Sequence, residues 1–154
     1  MKKERVLDYV KVIAPIILVA AIGSIFVNIG MEWFEELIKP SQWIPSFVIP
    51  IVWSIIYITF AVVLLLWLKS EKIPLLTFVL LIVNGVLNVL WCLVFFTLNL
   101  TFLGNIVIIL NLIAGIWLIL EIAKTNKFYA LALLIYPIWL SVATTLNIAM
   151  WILN

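Results

Sequence analysis

Five apolar stretches divide the chain, at about Val12 to Ile29, Ile49 to Leu68, Leu75 to Phe96, Phe102 to Ile122 and Phe128 to Leu153. Each is continuous rather than alternating, and each approaches the roughly 20 residues a helix needs to cross a bilayer core. Lipid offers no partner to an unpaired backbone N–H or C=O, so the pattern predicts helices and excludes the strands of an open sheet. Most links are very short, which predicts that consecutive helices pack as antiparallel neighbours. The expected fold is an all-α integral membrane protein, a five-transmembrane-helix bundle forming a single domain over residues 1–154.

One interval differs. Residues 30–46 read GMEWFEELIKPSQWIPS and form the only substantial loop. Pro40 and Pro45 stiffen it, while Trp33, Phe34 and Trp43 give it apolar surface that can fold back over the bundle. Pro50 suits the first turn of the second helix. The start, MKKERVLDYVK before an apolar run, has the flank of a signal peptide, but the run is too long for a typical h-region and reads as the first span.

Composition strengthens the membrane reading. Hydrophobic residues make up 68% of the chain and charged residues 10%, a balance that a water-soluble domain of this size could not expose. Nothing is left over for a separate soluble domain. The net charge of +2 comes without any basic run interleaved with aromatics, which argues against nucleic acid as a partner. With alternate helix ends grouped, Lys2, Lys3, Arg5, Lys11, Lys69, Lys72, Lys124 and Lys127 share one side and only Lys39 takes the other. That bias predicts a cytoplasmic N terminus, with the long loop and the C terminus outside.

Candidate chemistry is narrow. The span interiors carry no Asp, Glu, Lys or Arg, Lys11 and Glu121 being expected at helix ends, which counts against a proton-coupled pump or a charged channel ring. The absence of histidine removes the usual general base and the commonest metal ligand, so no metal site is expected. Cys92 and Ser141 have no evident base and read as ordinary small residues.

Aromatic and amide groups remain. Of eight tryptophans, Trp33, Trp43, Trp67 and Trp151 fall near predicted interfaces, where an amphipathic ring belongs in any case, although Trp43 sits on a loop that can carry it over a cavity. Trp53, Trp91, Trp117 and Trp139 fall within spans, where indole N–H groups want partners and flat faces suit a planar apolar ligand. Asn84, Asn88, Trp91 and Phe95 share one stripe of the third helix, and Trp139, Ala143 and Asn147 one stripe of the fifth. These two stripes can converge beneath the long loop. For Asn105 and Asn111 interhelical hydrogen bonding is the expected role; for Asn88 and Asn147 it stands beside ligand contact.

The segments WFEELIKPSQW (Trp33 to Trp43), PIVWSIIY (Pro50 to Tyr57), NGVLNVLWCLVFF (Asn84 to Phe96) and WLSVATTLN (Trp139 to Asn147) resemble the TspO/MBR family, also called translocator protein, tryptophan-rich sensory protein or peripheral benzodiazepine receptor. The resemblance covers nearly the whole chain. It implies a five-helix bundle, often a homodimer, with a pocket under the first loop for porphyrins and benzodiazepine-like compounds. Trp43, Trp53, Trp91, Trp139, Ala143 and Asn147 match family pocket positions, and Asn88 matches the asparagine of the third helix. Trp53 and Trp139 correspond to the tryptophans linked in some bacterial members to light-dependent breakdown of protoporphyrin.

Four departures stand out. Gln42 is inserted in the loop, Ser46 replaces the second proline of a pair, Cys92-Leu93 stands where many members carry prolines, and two residues are missing between Tyr136-Pro137 and Trp139. The final NIAMWILN lacks the tyrosine and basic residue of the animal cholesterol motif; Leu7, Tyr9 and Lys11 fit only its loose form, and sterol binding is not expected.

The expected function is therefore a membrane receptor-like protein. It binds a tetrapyrrole such as protoporphyrin IX, or another planar apolar molecule, among Trp43, Trp53, Trp91 and Trp139, requires no cofactor, and serves tetrapyrrole or stress regulation. Light-dependent porphyrin degradation through Trp53 and Trp139, transport of a small apolar molecule, and a purely structural membrane role are the alternatives.

Overall fold

The structure, a computed structural model, describes residues 2–41 and 43–154, with the side chains of residues 2–5 not included. The inserted Gln42 and the basic side chains of Lys2, Lys3 and Arg5 thus lie outside the described residues. The elements are α1 (Lys2–Ile29), α2 (Met31–Glu36), α3 (Val48–Ser70), α4 (Leu75–Cys92) running into a π-helical turn (Leu93–Thr97), α5 (Thr101–Thr125), α6 (Lys127–Leu133) and α7 (Ile135–Leu153). Among the described residues no strand occurs, and five segments are long and apolar enough to cross a membrane, α6 and α7 together making the fifth. The chain is an integral multi-pass membrane protein.

Local chemistry sets the breaks between helices. Pro50 lies in the first turn of α3, where its missing N–H would have no helical partner anyway. Pro74 precedes α4, and its carbonyl accepts the Phe78 N–H. Asn99 takes φ +58 after the π-turn, a left-handed conformation that asparagine tolerates, and this turns the chain into α5. Asn126 ends α5 and caps α6, its side chain accepting from Phe128 N and Tyr129 N at 2.9 and 3.2 Å. Pro137 cannot donate to the preceding turn, and the fifth span breaks at Leu134, three residues upstream, into α6 and α7.

Two expectations need correction. Lys11 does not lie at a helix end, because α1 begins as far back as Lys2. Consecutive helices are also not all neighbours: α3 and α4 are joined only by residues 71–74, yet α1 lies between them, α3 packing chiefly on α1 and α4 packing on α5 and α1. Gly85 lets α1 in, since a Cβ there would stand 2.9 Å from Val19 Cγ2, whereas one on Gly23 would make only ordinary contact with Cys92 Sγ at 3.5 Å. From there the ring closes through α4 on α5, α5 on α7, and the fifth span back on α3.

The π-turn sets the site end of the bundle. Leu98 N donates to Leu93 O at 2.9 Å and Leu100 N to Val94 O at 3.0 Å, so the wide turn carries the consecutive Phe95 and Phe96 into the interior together. The end of α1 lies on this turn, where Thr97 Oγ1 donates to Phe26 O at 2.9 Å. Gly30 is required there, because a Cβ would come within 1.9 Å of Phe96 O.

Candidate functional site

Beneath the long loop the two stripes meet. A small cavity of about 40 Å³ is lined by Phe34 and Trp43 from the loop side, Ile49 and Trp53 of α3, Trp91 of α4, Phe96 of the π-turn, and Trp139, Ala143, Leu146 and Asn147 of α7. Six of the seven residues singled out from the sequence, Trp43, Trp53, Trp91, Trp139, Ala143 and Asn147, are thereby brought together. Asn88 is not among them. It is buried on the same stripe as Trp91, but it faces a second cavity between α1, α3 and α4. Its Oδ1 lies 3.9 Å from Cys92 Sγ, a distance at which a thiol donates only weakly.

Sequence reasoning missed Phe96, Ile49 and Leu146 as walls of the site, and named Phe34 only as loop surface able to fold back over the bundle. Phe34 lies in the short helix α2, inside what reads as a polar interval, and is buried 5.6 Å from Trp43, 5.1 Å from Phe96 and 6.4 Å from Phe95. Its place next to Trp33 and Trp43 was the available signal. Phe96 enters only because of the π-turn, which no hydrophobic period announces.

The polar inventory of the pocket is one-sided. Trp43 Nε1, Trp91 Nε1, Trp139 Nε1 and Asn147 Nδ2 are all buried without a hydrogen-bond partner. A buried N–H left unpaired costs on the order of 1–3 kcal/mol, so four at one cavity mark a place where acceptors are wanted. The remaining surface is aromatic: Trp53 stacks on Tyr57 with centroids 5.7 Å apart and lies 6.3 Å from Trp91, which itself stacks on Phe95 at 6.2 Å. Such a site offers flat apolar faces and N–H donors, and it suits a planar molecule that carries carbonyl or carboxylate oxygens.

The loop is fastened over this site. Asn154, at the end of α7, accepts from Ile38 N through Oδ1 at 2.9 Å and donates from Nδ2 to Ile38 O at 3.1 Å. Lys39 Nζ donates to Phe34 O and Glu35 O at 3.3 and 3.1 Å and lies 5.1 Å over the Phe34 ring.

Two other tryptophans depart from expectation. Trp67, expected in the interfacial belt, is fully enclosed 5.6 Å from Tyr129, whereas Trp117, expected to seek a partner inside the bundle, is 53% exposed on the lipid-facing side. Asn84 and Asn111 do join helices: the Tyr136 hydroxyl lies 3.3 Å from Asn84 Oδ1 and 3.1 Å from Asn111 Oδ1, tying α7 to α4 and α5. Asn105 was expected to do the same, but neither of its amide atoms has a partner.

The sequence model of the TspO/MBR family matches residues 12–152. Protein CrtK of Rhodobacter capsulatus is 30% identical over 138 residues, covering 87% of this chain and 84% of that protein. The tryptophan-rich protein TspO of Chlorobaculum tepidum is also 30% identical over 138 residues, covering 86% of each chain.

Proposed function

The chain belongs to the TspO/MBR family, and from that premise we propose that it is a membrane receptor that binds a tetrapyrrole, such as metal-free protoporphyrin IX, or another planar apolar ligand in the pocket under the loop. The observation that carries this reading is the set of four unpartnered N–H donors on Trp43, Trp91, Trp139 and Asn147, gathered among aromatic faces. A porphyrin has matching parts: a flat apolar ring for the indoles, and carboxylates for the donors.

Volume sets a condition. Ligand sites usually enclose roughly 300–1,000 Å³, and this cavity has about 40 Å³. The fastened arrangement is therefore the closed form, and binding requires the loop that carries Trp43 to swing outward. With most Lys and Arg side chains at the opposite end of the bundle, the loop and the end of α7 face the outside of the membrane and the N terminus faces the cytoplasm. The receptor works as a homodimer, serves tetrapyrrole or stress regulation, and needs no cofactor.

The test is a titration of protoporphyrin IX into the purified protein in detergent, followed by the porphyrin absorption band. Trp139→Phe and Asn147→Ala should each weaken binding roughly 10- to 100-fold, the value of a hydrogen bond to a charged group at about 1.5–3 kcal/mol. Equal affinity in both variants would remove the pocket from the account.

A second reading, light-dependent breakdown of the bound porphyrin, draws support from Trp53 and Trp139 lining the same cavity. Illuminated turnover by purified protein, lost in Trp53→Phe and Trp139→Phe, separates it from binding alone.

A further inference from the structure

The larger cavity is a different kind of place. It measures about 480 Å³ and lies between α1, α3 and α4, with Leu118 and Tyr136 at its back. No tryptophan lines it. Of its few polar side chains Asn84 and Tyr136 are engaged already, Asn84 Nδ2 donating to Leu80 O at 2.8 Å and Asn84 Oδ1 facing the Tyr136 hydroxyl, while Asn88 and Tyr57 add an amide and a phenol to the wall. Hardly anything here would recognise a polar ligand, and almost the whole wall is hydrocarbon.

Shape and direction narrow the occupant. The α1 lining runs from Lys11 to Ile22, and at about 1.5 Å of rise per residue that is roughly 17 Å along the helix. Half of a hydrocarbon core about 30 Å thick is about 15 Å. The slot is thus as long as one leaflet is deep and runs in the direction of the lipid chains. Leu18 and Ile22 of α1 and Val86 and Leu90 of α4 line it while also being exposed to the surroundings of the bundle, so it opens sideways to lipid.

At one end stands Lys11, the only Lys, Arg, Asp or Glu in the lining among the described residues, with its side chain 57% exposed and 3.8 Å from Asp8. Its end of the bundle also carries Lys69 in the last turn of α3 and Lys72 on the link to α4.

We infer that this slot is a binding site for a long-chain anionic amphiphile, with the hydrocarbon chain lying between α1, α3 and α4 and the carboxylate or phosphate head at Lys11. The site is separate from the pocket under the loop and does not depend on what that pocket binds. The chain replaces bulk lipid contact with walls on three sides, and the head lies at the depth where a lysine stem can reach the interface.

The test uses the full-length protein in detergent and oleate as the probe, with binding read by native mass spectrometry and calorimetry. Wild type should take up one oleate. Ile16→Trp on α1 and Leu81→Trp on α4 fill the slot from opposite walls, and each should weaken oleate binding at least tenfold. Lys11→Glu, at an exposed position where misfolding is not a concern, should weaken it several-fold and abolish the advantage of oleate over the uncharged oleyl alcohol. Protoporphyrin IX titrations should be unchanged in all three variants. Reconstitution with phosphatidylglycerol distinguishes the sources: phospholipid carried through purification and displaced by oleate identifies the bilayer, and uptake of oleate alone identifies the free acid. Oleate binding that survives both filling variants, or that ignores Lys11→Glu, or that competes with protoporphyrin for one site, would overturn the assignment.

Discussion

Asn154→Ala removes the two hydrogen bonds that hold Ile38, and with it the loop, against the end of α7. Both bonds face the surroundings, so each belongs near the lower part of the usual 0.5–1.5 kcal/mol, and the pair is worth about 1–2 kcal/mol. The loop keeps its other holds, namely the buried Phe34 against Trp43 and Phe96, and Lys39 on the carbonyls of its own turn. The variant should therefore stay closed for most of the time yet open more often, by roughly 5- to 30-fold at about 1.4 kcal/mol per factor of ten. Because a cavity of about 40 Å³ admits no tetrapyrrole until the loop moves, entry should speed up in proportion. Stopped-flow quenching of tryptophan fluorescence by protoporphyrin IX measures the association rate directly. Asn154→Asp keeps the acceptor for Ile38 N and loses the donor to Ile38 O, so its rate should fall between wild type and alanine. An association rate in Asn154→Ala within twofold of wild type would refute the idea that this contact gates the pocket.

Three further outcomes follow from buried groups. Asn105→Leu should raise the thermal stability of the ligand-free protein in detergent, since both amide atoms are buried without partners and removing that penalty is worth about 1–3 kcal/mol; a lower melting temperature would show that the amide is satisfied. Tyr136→Phe should cost about 1 kcal/mol, because the hydroxyl joins α7 to Asn84 and Asn111, and an unchanged denaturation midpoint would count against that tie. Gly30→Ala should cost about 3 kcal/mol or more, as its Cβ meets the Phe96 backbone, whereas Gly85→Ala meets only a methyl of Val19 and should cost about 1 kcal/mol. Comparable melting temperatures for the two glycine variants would contradict the close approach of α1 to the π-turn.

Several features were legible without tertiary information because they depend on local physics. Continuous apolar runs can satisfy their backbone in lipid only as helices, so the five spans followed directly, and the helical period placed Asn84, Asn88, Trp91 and Phe95 on one face and Trp139, Ala143 and Asn147 on another. All seven are buried. The family resemblance, carried by motifs in the right order along the spans, agrees with the match over residues 12–152.

Tertiary packing decided the rest. Periodicity says which residues share a face, but not which helix lies opposite, so the sequence did not reveal that α1 separates α3 from α4 or that Asn88 turns to a different cavity from Asn147. The π-turn that brings in Phe96, the fastening of Ile38 by Asn154 across 116 residues and the closure of the pocket all arise from contacts between distant segments. Trp67 and Trp117 show the underlying reason. In water a buried indole and an exposed one differ by a large hydrophobic term, but lipid is as apolar as the bundle interior. Hydrophobicity therefore drives each of these side chains into the membrane without choosing between protein and lipid, and only the fit of neighbouring helices encloses Trp67 and leaves Trp117 outside.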